Sequence, residues 1–291
     1  MTFRRLPLLA AGSVLLWTIL ALWLGLHDLA ISRALANPAA AWARWFEAYG
    51  EHPAMLLAWA AGQLLYSTAR LLTGRARLLR RLLALAVQLA AGLALVHMTL
   101  ERALTFRLSA AQWMVTLIML VAVTALVQLA LARTPASKLS RFNQAAWLTL
   151  LLLGAELAII HSLKSVWGRV RFRDLLPDGG GYTPWYTPMG PTGNRSFPSS
   201  HAANSWTMLV LPVYASAALA RPYVIRAAWI AALLWGSLTS YSRLVAGAHY
   251  ASDLLAGTSI TIVLFVVLRR LLLKETATRH PDFMQQRDLR S

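Results

Sequence analysis

The sequence predicts an all-α fold, a polytopic transmembrane helix bundle of about eight spans. Two features of composition and one of pattern lead there. Of 291 residues, 58% are apolar and only 13% charged, against roughly 45–50% and about 25% in a soluble globular protein. The 28 Lys and Arg residues fall in small groups between long apolar runs, which is the pattern of topology signals flanking membrane helices. A net charge of +17 would suit nucleic acid only if the basic residues formed a continuous polar surface. They do not, so no nucleic-acid partner is expected. With 16 Gly, 12 Pro and no Cys, collagen, disordered and disulfide-scaffold classes are also excluded.

A membrane helix needs about 20 apolar residues. Eight segments qualify in chain order: 7–26, 54–72, 82–100, 112–132, 146–163, 201–220, 227–241 and 248–268. The first resembles a signal peptide, with Arg4, Arg5 and an Ala34-Leu35-Ala36 triplet. That triplet lies well beyond the apolar run and past Asp28 and Arg33, so an uncleaved anchor is expected. Taking the N-terminus as cytoplasmic, the inner connections carry 18 of the 28 basic residues, including Arg70, Arg75, Arg77, Arg80 and Arg81. The bias holds at every inner loop. A polar cytoplasmic tail follows at 269–291, and residues 1–145 form an N-terminal group of helices before a core at 146–268.

One outer segment has organisation of its own. Asn37 can cap a helix, Pro38 can start it and Gly50 can end it. Trp42, Trp45, Phe46 and Tyr49 then share a face, which predicts an interfacial helix near 38–49 or a simple aromatic anchor.

Chemistry concentrates in 164–253. Lys164 and Arg171 are seven residues apart, nearly two turns, and share a face if the helix continues. A Gly- and Pro-rich loop, 177–193, leads to Phe197-Pro198-Ser199-Ser200-His201. Ser242-Arg243 precede His249 and Asp253, which are i and i+4 and can face each other. All three pieces fall on the outer face under the charge-derived topology. Three cations, two hydroxyls, two imidazoles and a carboxylate suit a phosphate ester. The cations clamp non-bridging oxygens. One histidine can attack phosphorus and the other protonate the leaving alcohol. Neither a metal nor another cofactor is needed for charge neutralisation, and paired-carboxylate or His-rich ligand sets are absent from the sequence. His97 and His161 read as satisfied interfacial residues. Glu156, inside the fifth span, is a suspect for function or for pairing with a neighbouring helix.

At these residues the chain resembles the type 2 phosphatidic acid phosphatase (PAP2) superfamily, whose signature is Lys-x6-Arg-Pro, Pro-Ser-Gly-His and Ser-Arg-x5-His-x3-Asp. Phe172 stands for the motif proline and Ser200 for the motif glycine. The resemblance implies that His249 is a nucleophile forming a phosphohistidine, with Asp253 orienting it and His201 as general acid. It implies a phosphate cradle of Lys164, Arg171, Ser199, the Ser200 amide and Arg243. Gly179-Gly180-Gly181-Tyr182-Thr183-Pro184-Trp185 and Asn194-Arg195-Ser196-Phe197 are similar to loops in bacterial lipid A phosphatases of this superfamily.

The expected protein is therefore a metal-independent lipid phosphatase of the bacterial inner membrane, its active site facing the periplasm. Its partners would be the bilayer and a lipid phosphate: lipid A, undecaprenyl pyrophosphate, phosphatidylglycerol phosphate or phosphatidic acid. A phosphotransferase using the same site and a non-catalytic lipid-phosphate binder or transporter are the alternatives. A vanadate-dependent haloperoxidase shares the residues but belongs to soluble proteins. Oligomeric state is not readable from the sequence.

Overall fold

The computed structural model describes residues 5–103 and 108–279. Arg4 and the tail from 280 onward lie outside the described residues. Those described are helical and carry no strand. In order they form α1 (Arg5–Leu35), α2 (Ala41–Tyr49), α3 (His52–Thr68), α4 (Gly74–Ala103), α5 (Ala110–Ala132), α6 (Ala136–Ser140), α7 (Asn143–Trp167), α8 (Ser200–Trp206), α9 (Leu211–Ala217), α10 (Pro222–Val245) and α11 (Ala251–Arg279).

Five of these, α1, α4, α5, α7 and α11, are long and apolar enough to cross a membrane. The other three expected spans depart from that standard for identifiable reasons. The 54–72 segment stops as α3 after 17 residues and tightens into a 3₁₀ turn, Ala69–Leu71. The 201–220 segment is divided into α8, a 3₁₀ turn (Thr207–Val210) and α9, which has Pro212 in its first turn, where the missing N–H costs nothing. The 227–241 segment lies within α10, whose last third is polar from Ser237 to Arg243.

The helices begin and end where local chemistry dictates. Ser109 opens α5 with a capping box: its hydroxyl accepts from the Gln112 amide at 3.3 Å, and its own amide donates to the Gln112 side chain at 2.8 Å. α2 starts three residues later than Pro38, because Asn37 closes a turn first. The Asn37 side chain accepts from the Ala39 amide, and its carbonyl accepts from Ala40. The Asn37 amide itself donates to Val245 at the end of α10 (2.7 Å), and Trp42 stacks on Tyr241 with ring centres 5.7 Å apart.

The chain forms two compact units. One is drawn from Met1–Glu47, Ala158–Ala203 and Ser237–Ile260, the other from Ala48–Leu157, Asn204–Gly236 and Thr261–Ser291. In the second unit, small residues let helices approach closely. Ala54, Ala58, Ala61 and Leu65 form a buried stripe on α3 that packs with Ala84 and Ala91 of α4. Leu148, Leu152, Leu209, Val210, Ala232 and Phe265 form a separate core there. His97 lies against the Trp113 ring, and Glu156 is fully buried.

The first unit holds every residue of the sequence-derived site. There α1 is tied to α11 by Trp17, which donates to the Ser259 hydroxyl at 2.8 Å, and to the 177–193 loop by Trp185, which donates to the Ala21 carbonyl at 2.8 Å. Gly257 of α11 closely approaches the Ser199 carbonyl, which would lie 2.4 Å from a Cβ at 257. Gly257→Ala must therefore push the Ser199 segment away, at a cost of about 1–3 kcal/mol for overpacking. Thermal unfolding of the detergent-purified variant should show a lowered midpoint; an unchanged midpoint would contradict this packing.

Candidate active site

Three chain segments assemble the site. The last turn of α7 delivers Lys164, whose ammonium donates to the Arg195 carbonyl at 2.7 Å. The helix does not continue to Arg171, so a shared helical face is not what relates these two cations. Gly168 takes a left-handed conformation (φ +58), and a Cβ there would lie 2.1 Å from the Gly190 carbonyl oxygen, so only glycine fits. Arg171 follows in extended backbone and caps a 3₁₀ turn, Phe172–Asp174. The next amide, Arg173, donates to the Gly247 carbonyl at 2.8 Å, and Phe172 packs edge-on against Tyr250. The residue in the proline position thus anchors this turn beside the 247–250 segment.

The second segment is the approach to α8. The Ser196 amide donates to the Arg169 carbonyl (2.9 Å), and the Ser199 amide donates to the Asp253 carbonyl (3.1 Å). The Ser199 hydroxyl accepts from the Ala202 amide at 3.3 Å, as a helix cap does. Ser200 is the first residue of α8 and is not at positive φ, so a serine in the glycine position brings no backbone strain. Being in the first turn, its N–H has no intrahelical acceptor and is free to donate outward.

The turn between α10 and α11 supplies the third segment. Gly247, at φ +66, reverses the chain, and the amides of Ala248 and His249 both donate to the Arg243 carbonyl (3.0 and 3.3 Å). Asp253 then reaches back to accept from the Tyr250 amide at 3.0 Å, which caps α11 with the same carboxylate that faces the histidine. His249 Nδ1 stands 3.5 Å from Asp253 Oδ2, longer than a made hydrogen bond.

Asp253 is held more strongly by groups that the motif pattern does not include. Arg169, fully buried, donates to Asp253 Oδ1 at 2.6 Å and to Asp28 of α1 at 3.0 Å, and it lies 4.0 Å over the Tyr250 ring. Ser196 donates to Asp253 Oδ2 at 2.6 Å. Ser252 donates to both Asp28 oxygens, from its amide at 3.0 Å and from its hydroxyl. The carboxylate is thus locked on both oxygens. His249 itself is 2% exposed. Burial pushes its imidazole pKa down to about 3, and the charges of Lys164 and Arg243 act in the same direction against Asp253. The imidazole is therefore neutral at every ordinary pH. Nδ1 faces the carboxylate, and in the tautomer that carries the proton there Nε2 keeps its lone pair for an electrophile.

With this geometry in hand, comparison with known families can be read against the site. Residues 145–277 match the PAP2 superfamily. This PAP2 segment is just under half of the chain, and the match together with the apolar helices fits a membrane phosphatase. No curated protein and no solved structure matches the chain.

Two site residues come from outside the PAP2 segment: Asp28 and Glu47. Glu47, on α2, accepts from Arg243 and Arg173 through the same carboxylate oxygen, each at 3.1 Å. Its main-chain carbonyl accepts from His201 Nε2 at 3.3 Å. Burial alone would raise the Glu47 pKa, but Arg243 and then Arg173 hold it below the usual carboxylate range, so it is ionised. The buried arginine of the motif therefore already carries an anion. The sequence did carry signals for these residues: an Asp near the end of an apolar run, and a lone acid between aromatics.

Arg243 holds Glu47 through Nη2, so a phosphate oxyanion that takes that N–H must displace the carboxylate. Glu47→Gln removes that competitor while keeping the shape. Orthovanadate and inorganic phosphate should bind the variant about tenfold more tightly, given about 1.5–3 kcal/mol for hydrogen bonds to charged groups. Calorimetry showing equal or weaker binding would contradict the competition.

Proposed function

We propose that this chain is an integral membrane lipid phosphatase that removes a phosphomonoester or pyrophosphate group from a membrane lipid. The reaction would run at the periplasmic face of a bacterial inner membrane, through a phosphohistidine at His249. The observation that carries this reading is the buried, neutral His249 with Asp253 at its Nδ1, in the field of Lys164 and Arg243. The positive-inside bias of the loops supports the orientation.

In the first step His249 Nε2 attacks phosphorus, and the bond from phosphorus to the lipid oxygen breaks. The imidazole becomes cationic as it loses its lone pair, and Asp253, already fixed by Arg169 and Ser196, stabilises that charge without reorganising. His201, protonated, gives its proton to the departing oxygen. In the second step His201 takes a proton from water, whose oxygen attacks the phosphorus of phosphohistidine. The P–N bond breaks, inorganic phosphate leaves and His249 returns to neutral. Lys164, Arg171, Arg243, the Ser199 hydroxyl and the Ser200 amide would hold the non-bridging oxygens in both steps. Positive charge on these side chains takes the place that a metal ion fills in other phosphatases, so turnover is expected without one.

The test is phosphate release by purified wild type and His249→Ala in detergent with excess EDTA. The panel is lipid A, undecaprenyl pyrophosphate, phosphatidylglycerol phosphate and phosphatidic acid. Wild type should release phosphate from at least one lipid, and the variant should be slower by about 10³-fold or more, as for loss of a nucleophile. Substantial release by His249→Ala, or loss of wild-type activity with EDTA, would overturn the scheme.

A further inference from the structure

The second unit contains a cavity of about 600 Å³ between α3, α4 and α5 that plays no part in the site above. Its walls are mainly aliphatic, including Leu85, Leu89, Val121 and Leu129, and at one end it is lined by Arg70 and Arg81. No acidic side chain lines it. Gln88, 0% exposed, also lines it, and neither its amide nitrogen nor its amide oxygen has a hydrogen-bond partner among the described residues. In a hydrocarbon surrounding, a carboxamide left in that state is costly. Nearby, Ser67 donates to Gln128, Gln128 to the Gln63 carbonyl, and Trp59 to Thr124, while the Gln63 amide nitrogen, like Gln88, has no hydrogen-bond partner.

Both arginines keep an Nε without a hydrogen-bond partner, and they differ in the contacts they already make. Arg70 closes the C-terminal end of α5, donating to the carbonyls of Ala132, Leu131 and Thr134. Arg81 lies over the Tyr66 ring at 5.5 Å, and its Nε has no hydrogen-bond partner. From Arg81 to Gln88 is seven residues, about 10 Å of helix rise. The long Arg81 side chain can shorten that span to the separation between a phosphate oxygen and an acyl ester carbonyl on one glycerol unit. From these features we propose that the cavity is a binding site for an anionic glycerophospholipid. The phosphate lies at Arg81 in the field of Arg70, an ester carbonyl accepts from the Gln88 amide, and an acyl chain follows the aliphatic wall. A basic pocket between membrane helices is a known physical solution for holding an acidic headgroup. A second copy of this chain would bring further positive charge to a basic cavity, whereas an acidic lipid brings the missing sign.

Native mass spectrometry of the detergent-purified protein with dioleoyl phosphatidylglycerol and dioleoyl phosphatidylcholine tests this. Phosphatidylglycerol is a phosphodiester, so it is not a substrate of the proposed phosphatase. Wild type should retain one phosphatidylglycerol in preference to phosphatidylcholine, and should gain thermal stability from it. Gln88→Leu and Arg81→Gln should each weaken that binding tenfold or more. Gln88→Leu should fold at least as well as wild type without lipid, because it removes an unsatisfied buried amide. His249→Ala should bind phosphatidylglycerol like wild type. Equal retention of both lipids, or variants that bind like wild type, would overturn the proposal. So would loss of binding in His249→Ala, which would place the lipid in the phosphatase site. Dimers in place of lipid adducts would assign the cavity to a second copy and overturn it as well.

Discussion

The buried contact between Arg169 and Asp253 is the constraint on which the catalytic geometry depends. A carboxylate inside a protein is tolerable only with charge and hydrogen-bond partners, and removing one partner of such a pair costs about 3–5 kcal/mol. Asp253 has a full set: Arg169 on one oxygen, Ser196 and the Tyr250 amide on the other. It therefore cannot rotate, and the direction it presents to His249 is set before any substrate arrives. The 3.5 Å separation leaves room for the contact to shorten when the imidazole gains charge. Arg169 has N–H donors beyond those on Asp253, and Asp28 of α1 accepts from one of them.

This explains what the N-terminal segment contributes beyond crossing the membrane. The PAP2 segment carries the proposed nucleophile, acid and cradle, but α1 places Asp28 on Arg169 and holds Trp185 and Tyr182 of the 177–193 loop by its Ala21 and Gly25 carbonyls. α2 places Glu47 across Arg243 and Arg173, with its carbonyl on His201. One helix thus supports the Arg169–Asp253 pair from within, while the other places an anion on Arg243 and Arg173. The surroundings of the proposed site are therefore completed by elements that the family match does not cover.

Much of this was legible in the residues themselves, and the parts that were not share a cause. Apolar length and spaced basic clusters gave the helical membrane class, and the spacing of Lys164, Arg171, Ser199, His201, Arg243, His249 and Asp253 singled out residues that all lie in one compact unit. The count from Lys164 to Arg171 passes over Gly168, whose left-handed conformation follows the end of α7 at Trp167. Spacing could not join Asp28 to Arg169 either, since nothing local to either one names its partner. The helical breaks in 201–220 follow from Pro212 and the 3₁₀ turn before it, which an apolarity count passes over. Ser200 reads as a departure in the motif, yet its backbone conformation is one that serine adopts freely.

The central claim is that His249, held neutral and aimed by a locked Asp253, takes up the phosphoryl group. Rapid alkaline quench of the enzyme with a lipid labelled at its terminal phosphorus, followed by peptide mapping, tests it most directly. The account predicts an alkali-stable, acid-labile label on the peptide containing His249, formed and lost on the timescale of turnover. Turnover without a label there, or a label on another residue, would contradict it.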